Sequence, residues 1–424
     1  MNINARDVSI AAGGQSPRRP MRILALSSPS GGQCGIGDYN AELSAALRAQ
    51  GHQVDLLPLV RRGDRSPMVR EFKRRIENYD AAILQYDGSL YGDVPAEMFG
   101  NFAAIARSVG RRPAIAILHE SLIPISRRPL VKPWSQACLP TWKSYIARRG
   151  MINAINSNLT VFVHGEHMRQ EFISIGVAPE RIEAIIYPLQ PSAHLVEPRH
   201  LSETSTVKLI MFGFVTEYKG YEIVLNAMRI LPENYVLTIA GGCVPFVQND
   251  RTLDAIHGFI QTGQWPYHSY FGQIASVQRP YSDAERQSME GRVKFTGHVH
   301  PEQLADIMSD ADIALAPYRR SSGSAALADY VEFARPTIAA GLPSFRDFAA
   351  HANCIRFVAI DAPFELAYAI RRLAMDIDER RRMFEVAKTF AQTHNFATLA
   401  QYCVSILSAG QPSPALVDAA HGNV

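Results

Sequence analysis

Four small residues between two apolar segments could bind an anion. They follow the short apolar run 313–316 and lead into an alanine-rich segment with helical spacing: Ser321, Ser322, Gly323 and Ser324. In an α/β fold, a strand that leads through such a loop into a helix exposes free backbone amides, and the helix dipole favours negative charge there. Taken alone, the loop is equally compatible with an ordinary turn that has a serine cap.

Polar and glycine-rich segments follow other apolar runs too. Gly35 and Gly37 lie in the loop after residues 22–26, Gly213 begins the loop after 208–212, and His119 follows 114–118. Ligands of open α/β sheets bind at the carboxyl ends of the strands, so these positions are candidates for binding. The glycines do not have the dinucleotide spacing and no acidic residue ends the second strand, which argues against NAD or FAD.

The alternation of apolar runs and helical segments predicts two doubly wound α/β domains. The predicted strands are 22–26, 54–58, 81–85, 114–118, 159–163, 183–186, 208–212, 235–240, 293–297, 313–316 and 337–339. The predicted helices are 39–50, 221–231, 301–309, 364–376 and 396–407. Residues 243–292 are less regular and include an aromatic cluster, for which acceptor contact and core packing of an insertion are the alternatives: Trp265, Tyr267, Tyr270 and Phe271.

The 424 residues exceed one ordinary core, so two domains are expected. The predicted division is a disordered leader (1–20), an amino-terminal domain (21–190), a polar linker (191–206), a carboxyl-terminal domain (207–394), a final helix packing back on the first domain (395–408) and a loose tail (409–424).

Composition indicates a globular protein of the cytoplasm. The hydrophobic fraction is 47% and the charged fraction 20%, and the net charge of +3 is too small to indicate a nucleic-acid partner. Five scattered cysteines without metal spacing fit reduced thiols. No apolar run reaches membrane-spanning length, and the first 20 residues lack the apolar core of a signal peptide.

Two basic runs in the first half of the chain could contact anionic lipid. The first contains Arg61, Arg62, Arg65, Arg70, Lys73, Arg74 and Arg75. The second contains Arg127, Arg128, Lys132, Lys143, Arg148 and Arg149. A solvated helix face is the common meaning of such a run, and peripheral binding at the inner face of a membrane is the alternative.

The order of these motifs resembles the retaining, GT-B-fold glycosyltransferases usually called family 4. That family has a glycine-rich loop after its first strand, a Gly-x-x-x-x-x-Lys-Gly loop opening its second domain, and a late helix followed by x-Pro-x-Ile-Ala. The corresponding segments are Gly35-Ile36-Gly37, Gly213 to Lys219-Gly220, and Arg335-Pro336-Thr337-Ile338-Ala339, with Val293-Lys294-Phe295-Thr296-Gly297 matching a further Val-x-Phe-x-Gly pattern. The resemblance extends over about residues 22–407 and implies two Rossmann-like domains facing a central cleft.

The resemblance also implies roles for individual residues. His119 matches a histidine that the family uses beside the donor sugar and its phosphate, and a structural histidine is the alternative. Lys219 would hold the donor diphosphate, with a solvated lysine as the alternative. The implied donor site is completed by Gly35, Gly37, Gly213, Ser321, Ser322, Gly323, Ser324 and Asp329.

Two positions depart from the family pattern. Phe214 stands where the family usually has an arginine for the diphosphate, and Arg319 and Arg320 are candidates to replace that arginine. Counting back from Pro336, the family's two glutamates fall on Ser321 and Asp329. Asp329 can still accept a hydrogen bond from a ribose hydroxyl, whereas Ser321 cannot replace a carboxylate that holds the donor sugar.

The implied activity is transfer of a sugar from a nucleotide sugar to a lipid-linked or glycan acceptor, with retention of configuration. Analogy favours GDP-mannose, with a UDP-sugar as the other donor. No cofactor or metal is expected, since the chain has no Asp-x-Asp pair in a suitable loop. The alternatives are a nucleotide-sugar epimerase of the same fold and a non-catalytic nucleotide-sugar-binding scaffold.

Overall fold

The computed structural model describes residues 19–31, 34–59, 63–120, 142–243, 251–265 and 279–409. The chain divides into two compact units: residues 1–187 together with 396–424, and residues 188–395. Several predicted features lie outside the described residues: most of the leader and the tail, Arg61 and Arg62, the basic residues 127, 128 and 132, and three of the four clustered aromatic residues.

A six-stranded parallel sheet forms the centre of unit 1, in the order β2-β1-β3-β4-β5-β6. Its strands are β1 (Arg22–Ser27), β2 (Gln53–Pro58), β3 (Ala81–Tyr86), β4 (Ala114–Leu118), β5 (Thr160–His164) and β6 (Ile182–Ile185). Strands β1, β3, β4 and β5 are apolar along almost their whole length and buried, as expected for a parallel sheet covered on both faces. The strand order reverses between β1 and β3, which is where doubly wound sheets bind ligands.

Helices cover both faces of this sheet. They are α1 (Gly35–Ala49), α2 (Ser66–Ile76), α3 (Gly88–Tyr91), α4 (Pro95–Ser108), α5 (Trp142–Asn158), α6 (Glu166–Ser174) and, from the end of the chain, α15 (Phe396–Ala409). Helices α1 and α15 pack together over one face. Helices α2, α4, α5 and α6 bury the opposite face.

Unit 2 has a second six-stranded parallel sheet, in the order β12-β11-β10-β7-β8-β9. Its strands are β7 (Val207–Phe212), β8 (Tyr235–Ala240), β9 (Val293–Gly297), β10 (Ile313–Ala316), β11 (Thr337–Ala340) and β12 (Ile355–Val358). The order reverses between β7 and β10, so the loops that follow these two strands flank the switch point of the sheet.

The helices of unit 2 are α7 (Tyr221–Ile230), α8 (Thr252–Thr262), α9 (Asp283–Arg292), α10 (Pro301–Asp310), α11 (Ala325–Glu332), α12 (Pro343–His351), α13 (Pro363–Met375) and α14 (Ile377–Thr393). The predicted α/β class and the two Rossmann-like domains are confirmed. The region 243–292 contains α8 and α9, and Trp265 is buried there against Phe259 at a ring-centroid distance of 6.1 Å.

The segment predicted as a linker packs within unit 2. Arg199 forms an ion pair with Asp312, with 2.8 Å between Nη2 and Oδ2. Buried Arg335 donates to the Val196 carbonyl, and buried Arg380 donates to the Arg199 carbonyl at 2.9 Å. These bonds satisfy carbonyls that an irregular segment cannot pair within itself.

Candidate functional site

Lys219 lies beside the carboxyl end of β7. It ends a single 3₁₀ turn, Glu217–Lys219, and its side chain turns back so that Nζ donates to the Phe212 carbonyl at 3.0 Å. The ring of Tyr318 lies 5.6 Å from Nζ. A Cβ at Gly213 would come within 2.7 Å of this nitrogen and 3.4 Å of the Ala326 Cβ. The φ of +93° at Gly213 favours glycine, and the two contacts show that Lys219 lies next to the first turn of α11.

Burial lowers the pKa of Lys219 from 10.5 to about 7, although the nearby Asp329 carboxylate acts in the opposite direction. Burial disfavours the charged form of a lysine because the ammonium loses its hydration. Only 4% of Lys219 is exposed. An anion at this position would restore the lysine charge, because opposite charges stabilise one another most strongly away from water.

The loop after β10 forms the second side of the unit 2 switch point. Its Arg319 amide donates to the Tyr218 carbonyl at 2.8 Å, which joins it to the Lys219 turn. Ser324 caps α11 by accepting from the Leu327 amide at 3.1 Å, and Ser321 Oγ donates to the Gly323 carbonyl at 2.9 Å. The structure therefore brings together Lys219, the small-residue loop and a helix amino terminus, which is an arrangement that suits an anion.

Asp329 lies on α11, one turn beyond this amino terminus, and is partly buried. The adjacent Tyr330 joins the two central strands: its hydroxyl accepts from the Phe212 amide at 2.7 Å and donates to the Leu315 carbonyl at 3.3 Å. Tyr330 and Tyr318 were not predicted from the sequence, because aromatic residues in such segments usually signal packing alone.

Arg319, one candidate to replace the arginine absent at position 214, is paired within unit 2. Its guanidinium is buried, contacts the Glu222 carboxylate and bonds to Asp361 Oδ1 at 2.6 Å. Two carboxylates therefore compensate its charge within the unit. Arg320 is exposed, and its guanidinium carbon lies 5.5 Å from the centroid of the Tyr218 ring.

In unit 1, the glycines after β1 belong to the start of α1, which begins four residues earlier than predicted. A Cβ at Gly37 would come within 2.0 Å of the Pro29 carbonyl oxygen, so only glycine allows this close approach of helix and loop. Gly35 has open space around its Cα. Asp38 Oδ1 accepts from the Gly31 amide at 2.9 Å.

His119 follows β4 directly, and Gln85 Oε1 lies 2.7 Å from its Nε2. Its ring forms an edge contact with Tyr39 at a centroid distance of 4.9 Å and lies 5.2 Å from the ring of His164. Burial lowers the pKa of His119 from 6.5 to about 3, so the imidazole is neutral at physiological pH. Tyr39, Gln85 and His164 were not predicted as members of this cluster.

The basic run 61–75 is divided by the fold. Arg65 is buried in a two-point ion pair with Asp93, both bonds measuring 2.9 Å, so this residue was wrongly included in an exposed basic face. Arg70, Lys73 and Arg74 are exposed on α2, while Met68, Phe72 and Ile76 of the same helix are buried.

No helix in the described part of the chain is long and apolar enough to cross a membrane.

Comparison with known proteins agrees with this architecture. Residues 197–390 match the family model described as glycosyl transferases group 1. No curated protein matches the chain in sequence. Among solved structures, the fold is similar to that of HepE from Anabaena in complex with UDP, with a TM-score of 0.65, 16% identity, and coverage of 92% of this chain and 100% of that one.

Two further structures have the same fold. Sucrose-phosphate synthase from Thermosynechococcus elongatus has a TM-score of 0.63 and 15% identity, with coverage of 92% of this chain and 98% of that one. WaaG, a glycosyltransferase involved in lipopolysaccharide biosynthesis, has a TM-score of 0.60 and 13% identity, with coverage of 91% and 99%. The family match over residues 197–390 and the fold of the two sheets together support a glycosyltransferase with the GT-B fold.

Proposed function

We propose that the protein transfers a hexose from a nucleotide sugar to a lipid-linked or polysaccharide acceptor during cell-surface glycan biosynthesis, with retention of anomeric configuration, as in family 4. The observation that carries this proposal is buried Lys219 beside the amino terminus of α11 at the switch point of unit 2. A buried lysine next to free helix amides suits a diphosphate and would be costly without an anionic partner.

Lys219 and the α11 amides would act on the leaving group. When the bond between sugar and diphosphate breaks, negative charge develops on the diphosphate and an oxocarbenium-like centre develops on the sugar. Donors already oriented toward that charge stabilise it without further reorganisation. Asp329 would accept from the ribose hydroxyls, and the residues 321–324 would supply amides and hydroxyls to the phosphates.

A UDP-sugar becomes the first donor to test. The HepE structures contain UDP and UDP-glucose, which supports a uridine nucleotide here by similarity of fold, while GDP-mannose remains the second candidate. WaaG, which shares the fold, is involved in lipopolysaccharide biosynthesis, and this supports an acceptor in a cell-surface glycan. Residue 321 does not supply the carboxylate expected for holding a sugar, so the choice of sugar must depend on other contacts.

The cytoplasmic face of a membrane is the proposed place of action. Three exposed basic residues on α2 (Arg70, Lys73 and Arg74) and two on α5 (Lys143 and Arg149) belong to unit 1. Basic residues near an anionic leaflet contribute about 1 kcal/mol each. Because the apolar side of α2 is buried in the core, this attraction would be electrostatic and reversible by salt.

A thermal-shift panel of nucleotide sugars tests the proposed donor. A nucleotide sugar that binds the folded protein raises its apparent stability by mass action. We expect UDP-glucose or GDP-mannose to raise the unfolding temperature of the wild type but not of Lys219→Ala. An NMR assignment of the product anomer then tests retention; an inverted product would contradict it.

A further inference from the structure

Gln85 connects α1 to His119 in the interior of unit 1. It lies near the carboxyl end of β3, its side chain is fully buried, and its Nε2 donates to Asn40 Oδ1 at 3.2 Å. Its Oε1 lies 2.7 Å from His119 Nε2. The Tyr91 hydroxyl donates to the Gln85 carbonyl at 2.8 Å, which also fixes the backbone at this position.

This chain of hydrogen bonds bears on which nitrogen of His119 carries the proton. A glutamine amide has one donor end and one acceptor end, and Asn40 Oδ1 occupies the donor end. The oxygen of Gln85 then faces the imidazole, and because an amide oxygen only accepts, this arrangement favours a proton on Nε2 of His119. In a neutral imidazole the other nitrogen then accepts, and Nδ1 therefore carries the lone pair.

We propose that Asn40 and Gln85 are positioning residues that hold His119 as a neutral imidazole protonated at Nε2. A group that approaches Nδ1 must then donate a hydrogen bond. A sugar hydroxyl meets this requirement, whereas a phosphate oxygen does not. The specificity part of this inference rests on the proposed transfer from a nucleotide sugar; the tautomer itself does not.

The surroundings of His119 also favour the neutral ring. The titratable groups that face it are Tyr39 from α1 and His164 from β5, and Tyr187 lies beyond both, 4.9 Å from His164 between ring centroids. Burial raises the pKa of Tyr39 and lowers the pKa of His164, so neither carries a charge near neutral pH. Glu120, next in the chain, accepts from the Gly88 amide.

Nitrogen-15 NMR of the histidine side chains in the full-length protein tests the tautomer directly, because the nitrogen shifts identify the protonated atom. Assignment uses the loss of a signal in His119→Gln. We expect a proton on Nε2 of His119 and no titration from pH 8 to pH 5. A proton on Nδ1, or titration near the ordinary histidine pKa of about 6.5, would overturn the inference.

Substitutions at Gln85 separate positioning from packing. In Gln85→Glu, a carboxylate opposite Nε2 should raise the pKa of His119 into the measurable range, so that its nitrogen signals titrate between pH 8 and pH 5 where those of the wild type do not. Gln85→Leu should allow both tautomers and lower kcat by on the order of tenfold to hundredfold. Gln287→Glu, exposed on α9, is the charge-matched control and should change neither readout.

The outcomes distinguish the two proposals. An unchanged His119 signal in Gln85→Glu, or wild-type turnover in a folded Gln85→Leu, would contradict the positioning role. If the wild type shows the expected tautomer but transfers no sugar from any nucleotide donor, the proposed function fails while the assignment of the tautomer stands.

Discussion

Replacing Lys219 by methionine should stabilise unit 2 while removing its affinity for a diphosphate. Methionine has a similar length but no charge to desolvate. The pKa of Lys219 falls from 10.5 in water to about 7 in the fold, which corresponds to roughly 5 kcal/mol at 1.36 kcal/mol per pH unit. The hydrogen bond from Nζ to the Phe212 carbonyl is lost as well, so this figure is an upper limit.

The pH dependence gives the sign of the effect. Between pH 7 and pH 10.5 the unfolded lysine binds a proton that the folded lysine does not, so stability rises with pH across this window. The destabilisation by Lys219 is therefore complete below pH 7 and disappears as the pH approaches 10.5. Lys219→Met should show its largest advantage over the wild type at or below pH 7.

Thermal unfolding followed by circular dichroism measures this difference. A gain of 2 kcal/mol, well below the limit, would raise the midpoint by roughly 5 °C for a domain of this size. Lys208→Met is the matched control in the same unit: this lysine is 39% exposed in a surface ion pair, and its loss should shift the midpoint little. A lower midpoint for Lys219→Met at pH 7, or an advantage that persists at pH 10, would refute the reasoning.

Three further predictions concern other parts of the protein. Asp329→Ala should weaken nucleoside diphosphate binding by on the order of tenfold, because ribose hydroxyls lose an acceptor and Lys219 loses a nearby carboxylate; an unchanged Kd by calorimetry would contradict this. Changing Arg70, Lys73 and Arg74 to Glu should abolish sedimentation with anionic vesicles at low salt. The same change at the exposed residues Arg371, Arg372 and Arg381 of unit 2 should not. If the wild type does not sediment with such vesicles, the basic residues of α2 only contact solvent. Arg335→Leu should destabilise unit 2 by about 2–4 kcal/mol, since the carbonyls of Phe333, Ala311 and Val196 lose their donor, and a denaturant midpoint equal to the wild type would contradict that role.

Hydrophobic periodicity predicts the sheets well because buried parallel strands are continuous apolar runs. The limits of β4, β8, β9 and β10 agree with prediction to the residue. Strand β12 was missed because it is an edge strand and contains the partly buried Arg356, which interrupts the apolar pattern. Helix α5 was missed because its apolar residues are mixed with arginines and Gly150 rather than confined to one face.

The candidate site could be predicted only where local motifs report it. Local sequence motifs predict the glycines at 37 and 213 and the loop before α11. In the structure, these residues lie in the segments that follow strands β1, β7 and β10. The partners of Arg319 and of Gln85 come from distant parts of the chain, so no local pattern could indicate that one arginine is neutralised or that one glutamine orients a histidine. A sequence gives the residue types, but burial and pairing in the fold decide which charged side chains can still bind a ligand.

The most direct test is release of nucleoside diphosphate from UDP-glucose and GDP-mannose in the presence of glycan and lipid-linked acceptors, measured for the wild type and for Lys219→Ala. We predict acceptor-dependent release by the wild type. Loss of the charge-assisted donor should reduce the stabilisation of the transition state by several kcal/mol, which lowers turnover by roughly a hundredfold or more. Turnover of Lys219→Ala within a few-fold of the wild type would contradict the assignment of Lys219 to the leaving diphosphate.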